Sequence, residues 1–425
     1  MELKLEKNVM KTKIQRSKSI FGILLVTASC LPLATSASTP VTQAPPNSQQ
    51  VFFVGNNWDG TVTVIRSSGD YGRVGVINMI PDKKERLTEI YLNPIKLIAY
   101  QYIRNTAGEG NDQLVDDMYS SPDGKSVIAS RPSFADVVSI NISTGKINWR
   151  KAVEGFRADH MAVSPDGQRV AVSASSGNVV QVLDINTGKE LGRFATGDKP
   201  HENIFFDGGS KILNSAIGNV ETASDAPWQD FTKGKRYLTI ADANNYKIIK
   251  TIDLRPALDA FGRKDLSNSV RPVVFSADET KLYAQVSFFN GLVEYDLNQN
   301  KVTRIAQLPG SSTIPSDRSK WVNDSRHHGL SISGDGQKLC VAGTMDDYAT
   351  IVDRNTLKPG PLIAAGKPYW ATQSPDGKRC IISESQSDAV TVIDFDSGNK
   401  VVSVPVGNHP QRVRIGYAPA SWSTR

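Results

Sequence analysis

Short runs pairing carboxylates, imidazoles, guanidiniums or aromatic rings recur along this chain: Asp116-Asp117, Asp159-His160, His201-Glu202, Arg271-Pro272, His328-Gly329, Tyr369-Trp370 and Gln411-Arg412. Most follow one another at about 40 residues, the spacing of a structural repeat rather than of a local motif. Imidazoles beside carboxylates can move protons, which makes His160, His201 and His328 the candidate catalytic groups. Arg271 or Arg412 can fork a carboxylate or phosphate. Asp116, Asp117, Asp159 and Glu202 would complete a polar ligand site, with Tyr369 and Trp370 stacking on the ligand's apolar part. Trp58 and Phe288-Phe289 are further candidates for that stacking. His160 and His201 with Asp159 and Glu202 are also a donor set suited to zinc or another divalent ion. They stand a repeat apart and no HExxH occurs, so no metal ligand is assigned on sequence. No GxSxG elbow supports a serine nucleophile, and no CxxCH supports covalent haem. The cofactor is left unknown. The plain alternative is that these groups cap strand ends and hold water.

The elements that must position them are read from a turn marker. It occurs as Ser121-Pro122-Asp123-Gly124, Ser164-Pro165-Asp166-Gly167, Ser276-Ala277-Asp278-Glu279, Ser333-Gly334-Asp335-Gly336 and Ser374-Pro375-Asp376-Gly377, with a degenerate Phe206-Asp207-Gly208-Gly209. Asp caps its own backbone and Gly takes the left-handed position, so each marker reads as a hairpin turn. In the cleanest copy HMAVS leads into the marker, then RVAVSAS, NVVQVLD, the turn Asn186-Thr187-Gly188-Lys189, and ELGRFAT. That is four short strands of alternating or β-branched residues, and four-stranded antiparallel units at this period make a β-propeller.

Inner strands beginning near residues 114, 158, 200, 270, 327 and 368 give six blades. After Gly407 there is room for one more inner strand, Gln411 to Ile415, while VFFVGN, TVTVIR and GRVGVIN in residues 51–80 supply three. The expected fold is therefore all-β, a seven-bladed β-propeller closed by N-terminal strands pairing with the C-terminal inner strand, which leaves no free sheet edge. Because each strand reverses direction, the links from second to third strand and from blade to blade share one face. The long insertions Pro81 to Gln113, Val220 to Arg236, Arg255 to Val270 and Leu308 to Arg326 all fall in that class. So do the polar pairs, which places the expected site at the channel mouth on the insertion-bearing face.

The stretch SDAVTVIDFDSGNKVVSVPVGNHPQRVRIG from Ser387 to Gly416, with Gly188 to Gly209 and the SPDG turns, resembles the YVTN-type β-propeller repeat family of bacterial periplasms and cell surfaces. The resemblance spans nearly all of residues 51 to 416. It implies the propeller fold and leaves function open, because related propellers include binding proteins, lactonase-like enzymes and quinoprotein amine dehydrogenase heavy chains. The expected function is binding of a small polar ligand or a protein partner at the channel mouth. The alternative is an enzyme there, either a lactonase-like hydrolase using His/carboxylate or metal chemistry, or a heavy-chain-like subunit of a quinoprotein dehydrogenase.

Composition bounds the rest. With 39% hydrophobic and 22% charged residues over 425, the chain is globular in composition. Residues 1–37 combine six basic residues, an apolar run from Ile20 to about Ala28 and a small-residue segment ending at Ala37, the pattern of a cleaved signal peptide. Acylation at Cys30 is the other reading of that segment. Without residues 1–37 the formal charge falls from +6 to about +2, so nucleic acid is not an expected partner. Residues 38–50 read as a flexible tether, and 51–418 as the propeller. The mature chain is expected to be periplasmic or secreted, with no transmembrane segment. Cys340 and Cys380 are expected to be buried free thiols, since facing sheets usually pack about 10 Å apart and a disulfide needs its Cα atoms within about 7 Å.

Overall fold

A computed structural model describes residues 44–220, 227–312, 314–321 and 325–424. Residues 1–37, expected to be a signal peptide and including Cys30, and residues 38–43 of the expected tether lie outside them. Seven separate four-stranded antiparallel sheets form the blades of a β-propeller. The inner strands are Met118–Ser120, Ala158–Val163, Pro200–Phe206, Val270–Phe275, Gly329–Ile332, Pro368–Gln373 and Pro410–Pro419; in that order they belong to blades I to VII. Blade VII is composite: Pro410–Pro419 pairs with Ser48–Asn56, which continues into Thr61–Arg66 and Arg73–Asn78. The paired register runs from Ser48 opposite Pro419, three residues ahead of the tether boundary drawn from composition. The chain then adds one further tie, with Thr424 bonding Val74 and Val76 on the outer strand.

The marker turns fold for a local reason that repeats in each copy. In blade II the Ser164 hydroxyl accepts from Arg169 N, while Asp166 Oδ1 accepts from the Ser164 hydroxyl and from Gln168 N. Gly167 closes the turn at φ +70°, where a Cβ is disfavoured. The same Ser–Asp pair holds the turns at 121, 276, 333 and 374. Second and third strands are buried along most of their length, whereas outer strands such as Ile147–Ala152 alternate half-buried with exposed, as a one-sided surface requires. The apolar core lies between blades: Phe52, Val54 and Ile65 of blade VII pack on Ile381, Val390 and Val392 of blade VI.

The insertion 81–113 forms two helices, α1 (Lys83–Tyr91) and α2 (Pro94–Asn105). Asn93 caps α2 by accepting from Ile95 N and Lys96 N, Pro94 opens it, and Tyr100 and Ile103 bury against Leu114 and Phe134. A third helix, α3 (Arg255–Ala260), begins the insertion before blade IV. No helix among the described residues is long and apolar enough to cross a membrane.

One expectation fails. Cys340 and Cys380, 40 residues apart on the second strands of blades V and VI, form a disulfide with Cα atoms 6.3 Å apart. The 10 Å spacing of parallel packed sheets does not apply here: blades converge toward the axis, so strands near the hub approach more closely than sandwich faces do.

Candidate functional site

The inner strands of blades II, III, IV, VI and VII carry an irregularity at their axial beginning, and it falls on the polar pairs; those of blades I and V pair in unbroken register. In blade II Ala158 pairs with Ala174 and Met161 with Val172, so Asp159 and His160 stand opposite Ser173 alone. In blade III His201 and Glu202 face Ser215 alone, in blade IV Arg271 and Pro272 face Gln285, and in blade VII Gln411 and Arg412 face Gly55. Two residues against one is a β-bulge, which turns side chains out of the ladder. The single residue on the second strand often fastens the next blade: the Ser173 hydroxyl donates to His201 O, the Ser215 hydroxyl to Val270 O, and the Ser383 hydroxyl to Gln411 O.

The bulges aim a compact cluster into the channel. The His160 and His201 rings lie 3.7 Å apart between centroids, His201 and His328 5.4 Å, and His328 and Tyr369 4.3 Å. His160 Nδ1 is 3.0 Å from Glu202 Oε2, while its Nε2 is 3.8 Å from Asp159 Oδ1 and 4.0 Å from Asp116 Oδ2. Asp159 Oδ2 accepts from Arg157 at 2.9 Å. The Arg412 guanidinium lies 4.3 Å from the centre of the Trp370 ring and 5.4 Å from that of Tyr369, with Nη2 3.3 Å from His160 Nδ1.

Burial dominates the electrostatics. It holds the imidazoles of His160, His201 and His328 well below their ordinary value, with neighbouring Arg412 and Arg271 adding to the effect at His328. It pushes the Asp116 carboxyl up to about 7 and the Glu202 carboxyl up to about 8, despite the nearby arginines. Burial therefore favours the neutral forms of these three imidazoles and of Asp116 and Glu202.

A cavity of about 150 Å³ opens above this cluster. Its floor includes Asp116, Asp159, His160, His201, Arg271, His328, Tyr369 and Arg412, all expected from sequence. Asp117, Glu202 and Trp370 are not among its lining residues. Asp117 accepts from Arg414 Nε and Nη2 at 2.8 and 2.7 Å and from Met161 N, while Glu202 and Trp370 line a wider funnel of about 470 Å³ at the other end of the channel. The further stacking candidates lie elsewhere: Trp58 stacks on His409 at 3.7 Å, Phe288 lies 5.9 Å from the Trp321 ring, and Phe289 is buried in the core between blades III and IV. Asp346 is held by Arg326 at 2.8 Å.

Sequence reasoning missed the walls. Arg157, Lys199 and Gln113 line the cavity, and α2 covers it with Ala99, Tyr102 and Ile103, followed by Thr106 and Ala107 just past the helix end. Arg157 and Lys199 each stand two residues before a selected slot, so a wider window around each inner strand would have included them. The Asn93-Pro94 cap followed by apolar residues at helical spacing was a legible signal for α2.

No family model and no curated protein sequence matches this chain. Among solved structures, a chain of Kuenenia stuttgartiensis hydrazine synthase is similar, with 16% identity and a TM-score of 0.52. The alignment covers 72% of this chain and 95% of that one. At that identity the likeness concerns the fold, and the chain is a seven-bladed β-propeller with a helix-covered cavity over one end of its channel.

Proposed function

We propose that this protein is an exported propeller of YVTN type that binds a small anion bearing an apolar group at the helix-covered channel mouth. The observation that carries the reading is Arg412. Its side chain is 1% exposed, yet Nε and Nη1 have no hydrogen-bond partner among the described residues. A guanidinium taken out of water without full pairing is costly, and a ligand carboxylate or phosphate would supply the missing acceptors. Arg157, Lys199 and Arg271 add positive charge around the same space, and Ile103, Ala99 and Phe156 offer an apolar roof to the rest of the ligand.

Export is supported by the leader-like residues 1–37 and by the Cys340–Cys380 disulfide, a bond that persists in oxidising compartments. The YVTN assignment is supported by the repeat residues from Ser387 to Gly416.

The test is calorimetry with linear alkyl carboxylates. Affinity should rise with chain length by up to about 0.8 kcal/mol per buried methylene until the cavity is full. Arg412→Gln should weaken binding at least about tenfold, the scale of a lost charge-assisted contact. Equal binding by wild type and Arg412→Gln would remove the basis of the proposal.

A second reading, turnover at the same mouth, is favoured by one contact. Glu202 sits behind His160 Nδ1, so the ring is oriented with Nε2 toward the cavity, as a general base requires. His160→Gln would then abolish hydrolysis of a model lactone while leaving carboxylate binding measurable.

A further inference from the structure

The atoms at the cavity floor that lack partners are grouped. Asp159, His160 and His201 each present a ligand atom, and these atoms all lie within 4.8 Å of one another. Three further observations distinguish them from an ordinary polar cluster. His160 Nε2, His201 Nδ1 and Asp116 Oδ2 have no hydrogen-bond partner among the described residues, although the three side chains are almost wholly enclosed. An unpaired polar atom in such a place costs about 1–3 kcal/mol, so several converging on one point ask for an occupant. The other functional atom of two of these groups is tethered: His160 Nδ1 to Glu202 and Asp159 Oδ2 to Arg157. When Nδ1 donates to Glu202, Nε2 presents its lone pair, the carboxylate–histidine arrangement that orients metal-bound imidazoles. Finally, His160 Nε2 faces two carboxylates, Asp159 at 3.8 Å and Asp116 at 4.0 Å, while Glu202 at 3.0 Å makes the shorter of the two contacts at Nδ1, where Arg412 Nη2 stands at 3.3 Å.

We infer that Asp159, His160 and His201, with Asp116 as a fourth donor, form a binding site for one divalent first-row transition-metal ion. Two imidazoles and one or two carboxylates suit Zn²⁺ or Fe²⁺ rather than Ca²⁺ or Mg²⁺, which take oxygen ligands. Bonds of about 2.0–2.1 Å in tetrahedral geometry place donors about 3.3 Å apart. The 3.8 and 4.0 Å separations at His160 Nε2 need only small side-chain rotations to reach that. The cluster forms the floor of the mouth cavity, so the ion is reachable from solvent and has a side open to a further ligand. The inference deepens the reading of the mouth as an anion site, because a bound carboxylate could take that open position; it rests on different atoms from Arg412.

The test uses the full exported chain, free of any affinity tag and stripped with chelator, titrated with ZnCl₂ and followed by calorimetry and elemental analysis. Wild type should take up one equivalent. Asp159→Asn and His201→Asn should each lower the affinity at least about tenfold, whereas His409→Asn, a histidine stacked on Trp58 away from the cluster, should retain the full equivalent. Co²⁺ substitution should give the visible bands of a nitrogen- and oxygen-ligated centre, a readout independent of whether any variant folds well. Uptake of less than half an equivalent by the wild type, or full uptake by a His160→Asn/His201→Asn double variant, overturns the site. Carboxylate binding is measured on both stripped and loaded protein, so a missing metal and a missing anion site give separate results.

Discussion

Arg414 Nε and Nη2 close a two-pronged ion pair on Asp117 at 2.8 and 2.7 Å, and Asp117 also accepts from Met161 N at 3.0 Å. One carboxylate on blade I thus holds the closing strand of blade VII and the inner strand of blade II. Met118 N donates to its Oδ1 as well, so both oxygens are saturated. The ring is fastened where its composite blade meets the first blade formed by contiguous chain.

Breaking this pair from one side should be severe. Arg414→Met leaves the Asp117 carboxylate buried without its cation, and loss of one partner of a buried pair costs about 3–5 kcal/mol. Urea unfolding monitored by circular dichroism checks this. A change under about 1 kcal/mol would mean that closure rests on strand pairing and apolar packing alone.

The disulfide gives a chemical prediction and an energetic one. The chain without residues 1–37 should show no free thiol under denaturing conditions and two after reduction. Cys340→Ser/Cys380→Ser should cost about 2–4 kcal/mol, the usual range for a loop of this size. Two titratable thiols in the unreduced protein would restore the expectation drawn from sequence.

Stability toward acid should depend on Glu294. Burial raises its pKa, but hydrogen bonds from Arg304, Thr303, Lys281 and Tyr283 outweigh it and bring the carboxyl down to about 2. A carboxyl depressed in the fold stabilises above its unfolded value of about 4.3 and loses that contribution as pH falls toward 2. Glu294→Gln should therefore lower the melting temperature at pH 7 and show a shallower decline between about pH 5 and 2. Identical pH profiles for wild type and variant would contradict this.

The two faces of α2 should respond differently to truncation. Ile98 is 71% exposed, whereas Ile103 is 5% exposed and lines the cavity roof. Ile103→Ala should destabilise by about 2 kcal/mol or more and weaken binding of the longer alkyl carboxylates, while Ile98→Ala should change stability by no more than about 0.5 kcal/mol. Thermal denaturation and the carboxylate titration together read both effects. Equal effects of the two substitutions would mean that α2 does not roof the cavity as described.

Local chemistry wrote the blades into the sequence. Ser164, Asp166 and Gly167 form their turn from bonds within six residues, so the turn and the strands on either side are legible without any distant contact. The same holds for the slots: Asp159-His160 and His201-Glu202 could be counted back from the turns because each stands at the start of an inner strand of six or seven residues that ends at a turn. The insertions are not periodic, so counting located them but said nothing of α2 as a roof.

What the sequence by itself determined is the ring, its composite closing blade and the seven polar slots, since these follow from periodicity and turn chemistry. Tertiary structure alone decided which slot residues share a space. Asp159, His160 and His201 converge at the cavity while Glu202 and Trp370 reach the opposite funnel: the blade II bulge turns both its residues to the cavity, whereas in blade III His201 and Glu202 part toward opposite ends. It also decided the Cys340–Cys380 bond, because the distance between two blades depends on how they converge on the axis, a quantity no single strand encodes.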